Sequence, residues 1–226
     1  MPQPTPRRSN PHARQTGLST LGAIVVLGML TLAALAGCTT LESLVAGPTI
    51  TPTPQRGTPV EPPIDLPDLT LTNQAGEPFR LSDLQGKLAL FYFGYTHCPD
   101  ACPLTLATYR QIADALGEDA EQVAFVFVSV DGGRDTPERM ATYLSAFSPD
   151  FIGLTTEDET ALQEATDAFG VYYELEEVAE TQVDYLVAHT TSVFLVNQQG
   201  QLTTVYAYRT PPEVIVEDIQ RMLEQG

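Results

Sequence analysis

The sequence predicts an α/β domain with a central mixed sheet flanked by helices. Three observations point there. Leu88–Phe93 and Val123–Val130 are continuous apolar runs, as expected of strands buried on both faces. Stretches with helical apolar spacing follow each run, so strand and helix alternate. The chain then closes with a hairpin signal and a last amphipathic helix.

Taken in order, Phe79–Leu84 and Gly86 introduce the first core strand, 88–93. A helix over 103–116 follows. Pro103 suits its first turn, where the missing N–H is not needed, and Leu106, Tyr109, Ala113 and Leu116 form its apolar stripe. The second core strand is 123–130. Thr136 and Pro137 read as N-cap and first helical residue, and Met140, Tyr143, Leu144 and Phe147 share one face. Phe151–Leu154 is a short strand, and Thr156 with Glu159 predicts a capping box for a helix carrying Leu162, Ala165 and Phe169. Residues 171–187 read as an irregular or hairpin insertion. Strands over 191–196 and 202–208 flank Asn197-Gln-Gln-Gly200. Thr210-Pro-Pro-Glu213 opens a final helix with Ile215, Ile219, Met222 and Leu223 inward. Cys98 and Cys102 fall in the turn after the first core strand. That order, with a cysteine pair after an early strand, is the plan of a thioredoxin-like fold.

The first 64 residues read differently. Arg7, Arg8 and Arg14 precede an uncharged apolar stretch, Leu18–Ala36, that ends Leu35-Ala-Gly-Cys38. A basic start, an apolar stretch and a small-residue cleavage site predict an export signal over 1–37. Leu-Ala-Gly-Cys resembles a bacterial lipobox, which implies a lipidated Cys38 and extracytoplasmic anchoring at a membrane. The alternative is an uncleaved membrane-spanning anchor. Residues 38–64 carry Pro48, Pro52, Pro54, Pro59, Pro62 and Pro63, and predict an extended tether. The folded domain is then expected over 65–226.

All acidic residues lie after Cys38, so that part carries 8 Lys/Arg against 29 Asp/Glu, a net charge of −21. This excludes a nucleic-acid-binding role, which needs the opposite sign. Cys38 also resolves the odd cysteine count, leaving Cys98 and Cys102 as a pair.

Two cysteines separated by three residues, ahead of a helix, suit either a thiol–disulfide couple or two soft metal ligands. The helix N-terminus favours thiolate. Inert buried thiols are the third alternative. A further ligand would come from His97 or His189, since His12 lies in the export segment. His97, in the loop, is expected to face solvent. His189 precedes the C-terminal hairpin strand, and is either a ligand or a structural histidine. Two thiolates and an imidazole suit Cu(I) and Cu(II), and also zinc.

Phe93-Gly-Tyr-Thr-His-Cys-Pro-Asp-Ala-Cys-Pro103 resembles the signature of the Sco/SenC family, thioredoxin-like copper proteins of cytochrome c oxidase assembly. Ser129-Val-Asp-Gly-Gly-Arg-Asp-Thr-Pro-Glu138 resembles its second motif, and the His189 segment its third. The resemblance covers about 65–223 in register. It implies copper held by Cys98, Cys102 and His189, with Asp131 near the site, and delivery to the dinuclear copper site of an oxidase subunit. It also implies a thiol reductant, because copper loading needs reduced cysteines. Asp135 and Arg134 are expected to serve as cap and surface pairing. Two departures stand out. Ala188 replaces the family's usual Asp before the histidine, and Gly132-Gly133 replaces a Pro-containing turn, which predicts a looser loop.

The alternative function is a thiol–disulfide reductase acting on the oxidase's copper-site cysteines. A general reductase is disfavoured by the lack of any Trp and by Thr191 at the position expected for a cis-proline. A thiol peroxidase is disfavoured because Thr96 lies one residue too close to Cys98.

Overall fold

The computed structural model describes residues 57–177 and 185–225. Cys38 and the segment read as an export signal lie outside the described residues. Among the described residues, no helix is long and apolar enough to cross a membrane.

The strands are β1 (Thr58–Asp65), β2 (Thr70–Asn73), β3 (Pro78–Arg80), β4 (Leu88–Gly94), β5 (Val123–Ser129), β6 (Ile152–Thr155), β7 (Tyr173–Glu177), β8 (Tyr185–His189), β9 (Val193–Val196) and β10 (Gln201–Tyr206). The helices are α1 (Ala101–Leu116), α2 (Pro137–Ser145), α3 (Glu159–Phe169) and α4 (Pro212–Gln225). Eight strands form one sheet in the order β1-β10-β9-β4-β5-β6-β2-β3. β4, β5 and β6 are parallel, and the outer strands add antiparallel. This is the expected mixed sheet flanked by helices. Among the described residues, β7 and β8 pair only with each other.

β4 and β5 are buried along their whole lengths, which explains their unbroken apolar sequence. Their register pairs Tyr92 with Phe127 and Gly94 with Ser129. On one face Phe91 and Phe93 pack on Phe169 of α3, with ring centroids 4.9 and 5.1 Å apart. On the other, Phe125 meets Tyr109 of α1 at 5.4 Å. Full burial of each such ring contributes roughly 1.5–3 kcal/mol.

Several boundaries differ from expectation. Residues 58–64, read as tether, form most of β1, which pairs antiparallel with β10. Its prolines are compatible because an edge strand leaves one row of backbone groups unpaired. α1 begins at Ala101 rather than Pro103, so Cys102 lies in its first turn. α3 is capped by Asp158, whose carboxylate accepts the N–H groups of Thr160 and Ala161, instead of by a Thr156–Glu159 box. Asp158 is closer to the helix, and a carboxylate suits the positive N-terminal end. The Thr136 cap is as expected, accepting from the Arg139 N–H at 3.3 Å.

Candidate metal centre

The two cysteines sit where the β4 strand ends and α1 begins. Cys102 is fully buried and Cys98 half-buried. Their thiols are unbridged. The Asp100 side chain leaves the α1 N-cap role unfilled. The Cys98 sulfur instead accepts the first-turn N–H of Cys102 at 3.4 Å. A sulfur in that place is stabilised as thiolate by the helix end.

Gly94 makes room for the pair. A Cβ there would lie 2.6 Å from the Cys102 sulfur and 2.9 Å from the Phe127 ring. The strand therefore has to end in glycine for the thiol to reach the sheet. Tyr92 donates its hydroxyl to the Cys102 sulfur at 3.7 Å.

His189, at the end of β8, brings a third potential donor atom to the pair. Its Nε2 lies 3.6 Å from the Cys102 sulfur, and its Nδ1 lies 3.0 Å from the Thr190 carbonyl oxygen. Donation from Nδ1 to that carbonyl leaves Nε2 as the lone-pair atom facing the thiols. Tyr92 and Tyr95 stand edge-on to the imidazole at 5.9 and 5.8 Å. Donor atoms of Cys98, Cys102 and His189 lie within 4.8 Å of one another. Ligands bonded at about 2.0–2.3 Å can share one ion at such separations.

The two thiols are unlike. Cys98 is held well below the usual thiol range, to about 4, by the Cys102 thiol donating to it, with further help from backbone N–H groups against opposing burial. Cys102 is pushed far up, first by burial and then by its neighbour Cys98.

The residues around Asp131 form a second cluster. The Asp131 carboxylate accepts from Arg134 Nε at 2.6 Å and from the Tyr185 hydroxyl at 2.7 Å. Arg134, expected to make a surface pair, and Asp135, expected to be a cap, have other roles: Thr136 is the cap of α2. The Arg134 side chain is 17% exposed, and its guanidinium lies over the Tyr185 ring. Asp135 is fully buried and accepts from the Thr96 N–H, the Thr96 hydroxyl and the Ser129 hydroxyl at 2.9, 2.6 and 2.7 Å. It ties the loop before Cys98 to the end of β5. Sequence gave no sign of this, because all three donors are distant in the chain or generic. His97 is partly covered rather than open to solvent, with Nδ1 3.7 Å from Asp135.

The glycine pair does not loosen its loop at the first position. Gly132 is buried, and a Cβ there would collide with the Thr156 carbonyl. Glycine is what lets this loop close on the start of α3. Ala188 lies on β8 opposite Glu174.

Known proteins agree with this architecture. Residues 62–224 match the family model described as SCO1/SenC. A SCO2-like protein of Rickettsia felis is 34% identical over 150 residues, covering 66% of this chain and 73% of that one. Apo Sco1 of Thermus thermophilus superposes with a TM-score of 0.65 at 38% identity, covering 73% of this chain and 95% of that one. Copper-bound ScoI of Bradyrhizobium japonicum gives 0.62 at 33% identity, covering 74% and 99%. With a sheet, a cysteine loop and a family match that coincide over the same residues, the chain belongs to the SCO1/SenC family, on a thioredoxin-like fold.

Proposed function

We propose that this protein is an extracytoplasmic copper-binding metallochaperone that delivers copper to the dinuclear copper site of a cytochrome c oxidase subunit. The observation that carries the reading is the convergence of Cys98, Cys102 and His189 from three separate elements. Two sulfurs and an imidazole are donors for copper in either oxidation state. A relative of similar fold holds copper. In this reading the Leu35-Ala-Gly-Cys38 sequence supplies a lipid anchor at the membrane.

Chemically, Cys98 is the entry ligand, being the less buried and more readily ionised thiol. Cys102 and His189 complete the site from the buried side. Transfer proceeds by ligand exchange, with Cys98 the first donor a partner's thiolate can replace.

A second reading, thiol–disulfide exchange, is favoured by the polarity of the couple. The Cys98 thiolate would attack a target disulfide and release one target thiol. Cys102 would then give up its proton, attack the Cys98 sulfur and release the second thiol. The target is reduced as the Cys98–Cys102 disulfide forms, and a separate thiol reductant restores the pair.

His189 separates the two. His189→Ala should weaken Cu(II) binding by about tenfold or more, because two thiolates leave Cu(II) short of donors. It should leave disulfide cycling intact. Cys98→Ser and Cys102→Ser should remove both activities. Copper affinity, thiol-exchange rate and oxidase maturation, measured across the three variants, decide the matter. Full oxidase maturation by His189→Ala would establish the reductase reading instead.

A further inference from the structure

Among the described residues, His189 is carried by an element that no sheet ladder joins to the rest of the fold. β7 and β8 form a separate two-stranded sheet, whereas the cysteines are positioned by β4 and α1. The distance from imidazole to thiols therefore depends on the short link from His189 to Val193 of β9, which pairs with Tyr92 of β4, and on side chains that fasten the hairpin. At the start of β8 these are well defined. The Arg134 guanidinium carbon lies 3.5 Å from the centre of the Tyr185 ring. Its Nη1 donates to the Tyr185 carbonyl at 3.0 Å, and its Nε donates to Asp131. The Tyr185 hydroxyl donates to the other Asp131 oxygen. One guanidinium and one carboxylate thus hold Tyr185 by its ring, its hydroxyl and its backbone.

The clamp is itself anchored to the loop after β5. The Asp131 N–H donates to Ser129 Oγ at 3.0 Å, and the Arg134 N–H donates to the Asp131 carbonyl at 3.1 Å. Arg134 reaches the site by a second route. Its guanidinium carbon is 5.8 Å from the Tyr95 ring, and Tyr95 stands edge-on to His189. The same side chain supports the strand bearing the imidazole and the wall behind it.

We infer that Arg134, with Asp131 and Tyr185, is a clamp that positions His189, and that it tunes this protein's preference between Cu(II) and Cu(I). The inference rests on the copper reading above. A ligand that needs all three donors binds only while the imidazole is in place, so its affinity falls with the populated fraction of that arrangement. Cu(I), which two thiolates can hold, loses little. Lysine cannot replace Arg134, because an ammonium has no planar fork to stack and donate in two directions.

The test uses the metal-free full chain and its Arg134→Ala, Arg134→Lys, Tyr185→Phe and His189→Ala variants. Amide hydrogen exchange of residues 186–189 is measured against that of β4 and β5, together with Cu(II) and Cu(I) affinities. Arg134→Ala should speed hairpin exchange by about tenfold with the core amides unchanged. It should lower Cu(II) affinity by about tenfold and Cu(I) affinity by less than about threefold. Arg134→Lys should behave like Arg134→Ala, and Tyr185→Phe should shift both readouts less in the same direction. Unchanged hairpin exchange in Arg134→Ala, or an equal fall in both affinities alongside faster core exchange, overturns the clamp. If His189→Ala leaves Cu(II) binding intact, the ligand assignment fails, and with it the tuning. Hairpin exchange in the metal-free chain then still decides whether Arg134 fastens β8.

Discussion

Cys98, in the loop after β4, and Cys102, in the first turn of α1, share a chemistry, yet their environments drive them apart. Cys98 is half-buried and receives N–H and thiol donors, while Cys102 is enclosed beneath Tyr92 and Gly94. The sign of the linkage follows. A thiol depressed from 9.0 to about 4 contributes stability that is complete above 9.0 and is lost as the pH falls through about 4. Cys98 should therefore react with iodoacetamide at nearly the same rate at pH 6 and pH 8. An ordinary thiol would speed up by close to about a hundredfold over that interval. Cys102 should stay unmodified in the native protein. Peptide mapping after timed alkylation reads both, and equal labelling of the two cysteines would contradict the assigned polarity.

At the scale of elements, two loops from different strands build the floor of the site, and Asp135 joins them. Its carboxyl group takes three hydrogen bonds, two from Thr96 and one from Ser129, and its own carbonyl accepts from Thr155. Asp135→Ala strands those buried donors, at a cost of about 3 kcal/mol or more. Asp135→Asn keeps the shape but replaces one acceptor oxygen by a donor, and should lose roughly half as much. Urea unfolding midpoints with unchanged slope would measure both. Equal stability of wild type and Asp135→Ala would show that Thr96 and Ser129 find other partners.

At the scale of the molecule, the sheet extends into the segment that looked like tether. β1 buries little of its own surface, but it covers β10, whose other edge is paired with β9. A fragment starting at residue 57 should fold and stay monodisperse. One starting at residue 66 should lose about 1–2 kcal/mol of stability from lost ladder bonds. It should also self-associate through the uncovered edge of β10. Light scattering and thermal melts at matched concentrations test this, and indistinguishable fragments would make β1 dispensable. The chain's entry point is tightly seated, since a Cβ at Gly57 would collide with Thr204 and Tyr206.

The sequence by itself determined the buried strands, the helix faces and the cysteine loop, because these depend on periodicity and on neighbours a few residues away. Leu88–Phe93 and Val123–Val130 have no polar face to offer, so a central position was dictated locally. His189 was legible only as a candidate, since its meeting with Cys102 spans 87 residues. The edge strand β1 was hidden because its prolines and exposed side chains carry a linker's composition, and only pairing with β10 distinguishes it. Arg134 and Asp135 were misread for the same reason. A charged residue after a strand is ordinarily solvated, and nothing nearby in the chain announces Tyr185 or Thr96 as its partner. Tertiary structure alone decided those roles, because burying a charged or polar group depends on partners that folding brings in from elsewhere.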